Sequence, residues 1–171
     1  KAHIVKMFQL IGQDDKQATK SMEAVMEIET RLAKKSFNAV EQRNPAANYH
    51  MLTLDELKKQ IPGFDWEAYL NAVGVKGVTS LNVSQIEPVQ EAVAIINSLP
   101  MDKQKAYLQW KLIDSAASYL SDAFVAQNFE FYGKVMSGKK EDQPRWKKAV
   151  GTVNGVLGEA VGQMYVEKYF P

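Results

Sequence analysis

The chain contains no cysteine, and that single count excludes disulfides, thiol catalysis and thiolate metal sites. It has only two histidines, His3 and His50, which stand far apart and outside any metal-ligand spacing. A zinc site built on one helix needs two imidazoles a turn apart with a glutamate between them, so no such site can be assembled from these residues. A carboxylate di-iron centre needs Glu-x-x-His on facing helices, and neither histidine has a glutamate three residues before it. Charge of one sign is also missing. With 21 basic and 20 acidic residues the net charge is +1, and the lysine pairs are scattered, which argues against nucleic acid and anionic membrane as partners. No apolar run reaches the roughly 20 residues of a membrane span, so no membrane contact is expected of this segment.

What is present is ordinary globular composition, 46% hydrophobic and 24% charged over 171 residues, enough for one packed domain. The chain opens at Lys1 in what already reads as helix, with Ile4, Phe8 and Ile11 at helical spacing. Residues 1–171 are therefore expected to be a single helical domain cut from a longer polypeptide, and the missing targeting segment says nothing of compartment. Asp14 followed by Gln17 reopens a helix that runs to about Lys35 with Met22, Val25, Ile28 and Leu32 inward and a Glu27–Arg31 surface pair. Thr53 and Glu56 form a capping box, Leu52 can staple against Leu57, and Pro62-Gly63 closes that short helix. Asp65 starts the next, which Gly74 can end in the left-handed conformation.

Residues 75–83 suggest a turn and at most one short strand. Pro88 opens a helix with Val89, Val93 and Ile96 buried. From Asp102 a long helix carries Ala106, Trp110, Leu112, Ile113, Ala117, Leu120 and Phe124 on its apolar arc. Asn82-Val83-Ser84 is formally a glycosylation sequon, with meaning only in a glycosylating pathway. The fold class is all-α, about seven helices with at most one short extended segment.

The most informative stretch is 144–171, read as one long helix. Gly151, Gly155, Gly158 and Gly162 are spaced by four, three and four residues and fall in one stripe. Lys148, Thr152, Glu159, Gln163 and Glu167 form a polar stripe, and Val150, Val153, Leu157, Val161, Met164 and Tyr165 an apolar arc. Four glycines forgo roughly 4 kcal/mol of helix propensity, so something must press against that groove. Tight packing of another helix is the plain explanation, with close approach to a substrate backbone as the alternative.

The same stretch carries a resemblance. Arg145, Trp146, Asn154, Gly155, Ala160, Val161, Gly162, Tyr165, Val166, Glu167 and Phe170 resemble a segment of the neprilysin-like zinc metalloendopeptidases, the family of neprilysin, endothelin-converting enzyme and the bacterial endopeptidase PepO. Arg43-Asn44-Pro45, Tyr49, the run from Met51 to Leu57, Trp110 with Ile113-Asp114, and Gly138 follow in the family's order. Ala149 stands where animal members often carry a half-cystine, which points to a bacterial relative.

The resemblance implies a noncatalytic helical cap that covers the active-site chamber and restricts substrates to peptides. The zinc-binding H-E-x-x-H, its downstream glutamate and an Asn-Ala-x substrate motif would all lie outside this stretch. Zinc is thus expected in the parent hydrolase and no cofactor here. The implied partners are the catalytic domain of the same polypeptide and the enclosed peptides, and the implied compartment is extracytoplasmic. No residue here is assigned a catalytic, cofactor or metal role. Asp114 and Glu159 read as solvated or ion-paired carboxylates, His50 as a hydrogen-bonded loop histidine, and Arg145, Trp146, Asn154, Gly155, Gly162, Tyr165 and Glu167 as a structural family motif. The competing expectation is an independent helical interaction module whose glycine groove receives a partner helix.

Overall fold

The computed structural model describes residues 1–170; Pro171, the expected end of the last helix, lies outside the described residues. Helix α1 (Ala2–Leu10) ends where Gly12 takes φ +92°, so the N–H groups of Gly12 and Gln13 turn back onto Gln9 O and Phe8 O at 2.9 and 3.2 Å. Asp14 then starts α2 (Asp15–Lys35) by accepting the Gln17 N–H at 2.8 Å. Ala18, Ser21, Ala24, Val25 and Ile28 form its buried stripe.

Strand β1 (Met51–Thr53) feeds directly into α3 (Leu54–Gln60) through the expected capping box, with the Glu56 carboxylate accepting the Thr53 N–H at 2.8 Å and Thr53 Oγ1 accepting the Glu56 N–H at 3.3 Å. The Asp65 side chain accepts the Ala68 N–H and opens α4 (Trp66–Ala72), which ends at Gly74, φ +79°.

Strand β2 (Ser80–Asn82) pairs antiparallel with β1, Leu52 opposite Leu81. The expected extended segment is therefore one half of a two-stranded ribbon. A lone three-residue strand leaves its ladder groups unpaired, so the second strand is a physical necessity. Then come α5 (Ile86–Ser98), α6 (Met101–Ala116), a 3₁₀ turn at Ala117–Tyr119, α7 (Asp122–Asn128), a π-helical segment (Phe129–Met136), α8 (Arg145–Val156) and α9 (Gly158–Tyr169).

The protein is predominantly helical, with nine α-helices among the described residues where about seven were expected. Both additions are interruptions of expected long helices. Leu120, at φ −84° and ψ −167°, parts α6 and its turn from α7; Leu157, at φ −117° and ψ 30°, parts α8 from α9.

Two apolar clusters organise this chain. The first joins Ile4, Met7 and Phe8 of α1 to Ala18 and Val25 of α2, Trp110 and Ile113 of α6, and Ala117. The second joins Leu52, Leu57, Ile61, Trp66, Val83 and Val93, with the staple pair Leu52 and Leu57 both inside it.

Helix α2 ties the two together. Glu27 and Arg31 do not pair with each other: Lys103 Nζ lies 2.6 Å from Glu27, and Arg31 Nε lies 2.6 Å from Glu91. Neighbouring helices offer partners that fix two elements at once, which a pair on one helix cannot do. Helix α5 buries opposite faces, Val93 on the second cluster and Ile95 on the other side, so Ile96 is half exposed rather than buried. Leu112, also expected inside, is 66% exposed because only one side of α6 is covered.

Candidate functional site

Helices α8 and α9 carry the motif residues, and no residue of either is buried. Pro144 precedes the first turn of α8, where its missing N–H removes no helical bond. Arg145 reaches back to Asp122 on α7 at 3.2 Å, an exposed ion pair worth little in water. Lys148 pairs with Asp142 in the preceding loop. These contacts surround a cleft of ≈ 350 Å³ between α7 and α8.

Beyond that junction the face is bare. Trp146, Val150, Val153, Val156, Leu157, Met164, Tyr165, Val166 and Tyr169 are all about half exposed or more. A Cβ added at Gly151, Gly155, Gly158 or Gly162 would meet nothing within 4 Å. The groove expected to be filled is open, and within the described residues no element presses on it. Of the seven motif residues, Tyr165 stacks loosely on Tyr169 at 4.9 Å and Glu167 accepts from Gln163 Nε2 at 2.9 Å. Arg145, Trp146, Asn154 and Gly155 lie on α8 and Gly162 on α9.

A second constellation went unrecognised in the sequence. His3 is buried on α1 against Trp110, Phe131 and Tyr132, its ring stacked on Phe131 at 4.6 Å. Gln127 Nε2 lies 3.1 Å from His3 Nδ1, an arrangement in which the amide nitrogen donates and Nδ1 accepts. That Nε2 is 3.6 Å from Asp114 Oδ1, beyond a hydrogen bond, and has no partner. Asp114 instead accepts from the Tyr132 hydroxyl at 2.9 Å, so this carboxylate is paired rather than solvated. Burial, followed by that bond to Asp114, pushes the Tyr132 phenol up to about 12. One signal could have exposed the cluster: His3 stands four residues before Met7 on the apolar stripe of α1.

Burial lowers the His3 pKa from 6.5, and the nearby Asp114 offsets this only in part. As the pH falls through 6.5 the unfolded chain takes up a proton that the folded chain resists, so stability is full only about a unit or more above that pH. It falls as the solution is acidified toward the lowered folded value, then levels off. The denaturation midpoint is therefore expected to drop between about pH 7.5 and about pH 5.5, and to drop less in His3→Phe, which keeps the stack and loses the titration. An equal drop in both proteins would contradict this assignment.

His50 is a loop histidine, its Nδ1 3.0 Å from Val83 O and its backbone N–H donated to Asn82 Oδ1 at 2.7 Å. His3 and His50 belong to different clusters. Among the described residues no three His, Asp or Glu side chains converge as metal ligands. No helix described is long and apolar enough to cross a membrane.

The chain is a segment of the neprilysin-like class. The model for "Peptidase family M13" matches residues 1–171, and the chain belongs to that family. It is 26% identical to endothelin-converting enzyme 1 of Rattus norvegicus over 98% of this chain and 23% of that protein. It is 32% identical to membrane metallo-endopeptidase-like 1 of Homo sapiens over 88% of this chain and 20% of that protein. Among solved structures it resembles the Mycobacterium tuberculosis zinc metalloprotease Zmp1 in complex with an inhibitor, with TM-score 0.92 and 31% identity over 99% of this chain and 26% of that one. The open state of Zmp1 gives TM-score 0.90 and 32% identity, covering 99% of this chain and 27% of that one. The chain thus spans about a quarter of the length of these relatives.

Proposed function

We propose that residues 1–171 form one noncatalytic helical domain of a longer neprilysin-like zinc metalloendopeptidase, serving as chamber wall and size filter for peptides. The observation that carries this reading is the bare face of α8 and α9. It holds the family motif, four glycines with open space around them, and a row of large apolar side chains that water disfavours. The relatives are about four times as long, so the same polypeptide can supply what covers it.

On this reading, Gly155 and Gly162 admit a backbone from the remaining chain at close range, and Trp146 and Tyr165 seat against it. Arg145, Asn154 and Glu167 fix the position of that face at its polar margin. The zinc, its general base and the bond-breaking step belong to the catalytic domain, and the compartment is extracytoplasmic. Control of substrate size would be steric: a rigid helical cover limits what reaches the chamber.

The test has two arms. Titration of the isolated chain with zinc should give no stoichiometric binding, and no peptide should be cleaved. The full-length polypeptide should bind zinc and cleave peptides while leaving a folded protein of the same sequence content intact. Stoichiometric zinc or specific hydrolysis by the isolated chain refutes the division of labour. Equal cleavage of folded and unfolded substrate by the full-length protein refutes the filter. An independent interaction module would instead be supported by stop codons flanking the encoded segment.

A further inference from the structure

Strand β2 forms an edge of the two-stranded sheet. Leu52 stands opposite Leu81, the Val83 N–H donates to His50 O at 3.0 Å, and the Leu54 N–H donates to Thr79 O at 3.4 Å. This alternation turns the backbone groups of residues 79, 81 and 83 toward β1 and those of Ser80 and Asn82 outward. Among the described residues nothing pairs with the outward N–H and C=O groups of Ser80 and Asn82.

Alongside, residues 81–85 form one wall of an open groove of ≈ 540 Å³. Phe64, Trp66 and Tyr69 line it from α4 and the turn before it, and Val89, Ala92 and Ile96 line it from α5. The three aromatic rings meet edge to face, with centroids 4.8 to 6.4 Å apart. The Trp66 indole N–H is spent on Ile61 O at 2.9 Å, so that ring brings no free donor to the groove. Tyr69 and Ile96 are each about half exposed there. No side chain lining the groove is charged, in a protein whose residues are 24% charged.

We propose that this groove receives an extended, uncharged peptide segment that adds a third strand to the edge of β2. Its backbone answers the free groups of Ser80 and Asn82, and every second side chain enters the groove. The combination selects this occupant. A helix has no backbone groups left over for the strand edge, and a small apolar molecule leaves the edge equally unpaired. A charged segment would lose its hydration against a wall that offers no opposite charge. This proposal stands apart from the chamber reading and survives its failure.

The test uses acetyl-Thr-Val-Thr-Val-Thr-amide and the same peptide N-methylated on its backbone, each added to the 171-residue chain and to the full-length polypeptide. Amide hydrogen exchange at Ser80 and Asn82 should slow with the first peptide and stay unchanged with the second. Ile96→Glu should raise the Kd by about tenfold or more with an unchanged far-UV circular dichroism spectrum. Tyr69→Ala, at a half-exposed position, gives the same readout without adding charge. Equal binding of the N-methylated peptide, no slowing at Ser80 and Asn82, or unaltered affinity in both variants overturns the proposal. So does protection in the short chain alone, since the polypeptide's own remainder would then occupy the edge.

Discussion

Truncating Phe8 to alanine is expected to cost about 3–5 kcal/mol, a large share of the 5–15 kcal/mol that typically holds a domain folded. Phe8 is fully buried and joins α1 to Val25, Trp110 and Ile113 in the first cluster, so the lost ring leaves a cavity that three helices must collapse around. The measurement that makes this informative follows the three tryptophans one at a time. Trp110 reports the first cluster, Trp66 the second, and Trp146 the terminal helices.

If residues 1–171 form one domain, the denaturant midpoints at Trp110 and Trp66 fall together. The half-buried Arg31–Glu91 contact and the Phe37 N–H donated to Gln85 at 2.8 Å cross between the regions and support that expectation. A Trp66 transition left in place by Phe8→Ala would divide the chain into two units.

Replacing Gly151, Gly155 and Gly162 together by alanine should strengthen the terminal helices of this chain, by up to about 3 kcal/mol of intrinsic helix propensity. Open space surrounds each position and none has a positive φ, so the added methyl groups meet no obstacle. The gain is local. It should appear as slower amide exchange in α8 and α9 and a stronger helical signal, with the Trp110 transition unmoved.

If the proposed reading holds, the same triple variant of the full-length polypeptide should lose stability or peptidase activity, because the methyl groups then meet whatever covers the stripe. Gly133→Ala is the internal control of opposite sign. Its Cβ would stand 2.2 Å from the Phe129 ring, and an overpacked site costs about 1–3 kcal/mol. Reduced helicity of the triple variant in the short chain would mean that the stripe is already in contact.

The helix boundaries set by local chemistry were legible in the residues. Asp14, Thr53, Asp65 and Gly74 each act within a few positions of themselves, and each does in the structure what its type and spacing imply. What escaped depends on distant partners. β1 shares its residues with a hydrophobic staple and a helix cap, and its strand character comes from pairing with residues 80–82. Glu27 and Arg31 satisfy the local pairing rule, yet α6 and α5 bring Lys103 and Glu91 closer.

The His3 cluster joins α1, α6, α7 and the π-helical segment, a convergence that no single helix pattern contains. The glycine stripe was legible in a different sense. Its spacing is plain in the residues, the described residues leave it open, and the spacing is silent on which part of a polypeptide would cover it.

The interruption at Leu157 limits what that cover can be. Each limb is 12 residues long, about 18 Å, while a helix laid across it shadows only about 10 Å. A rod crossing steeply therefore leaves most of a limb uncovered, and only one lying along it shields its length. On the proposed reading, whatever keeps this row dry therefore has to run along the limbs rather than merely cross them.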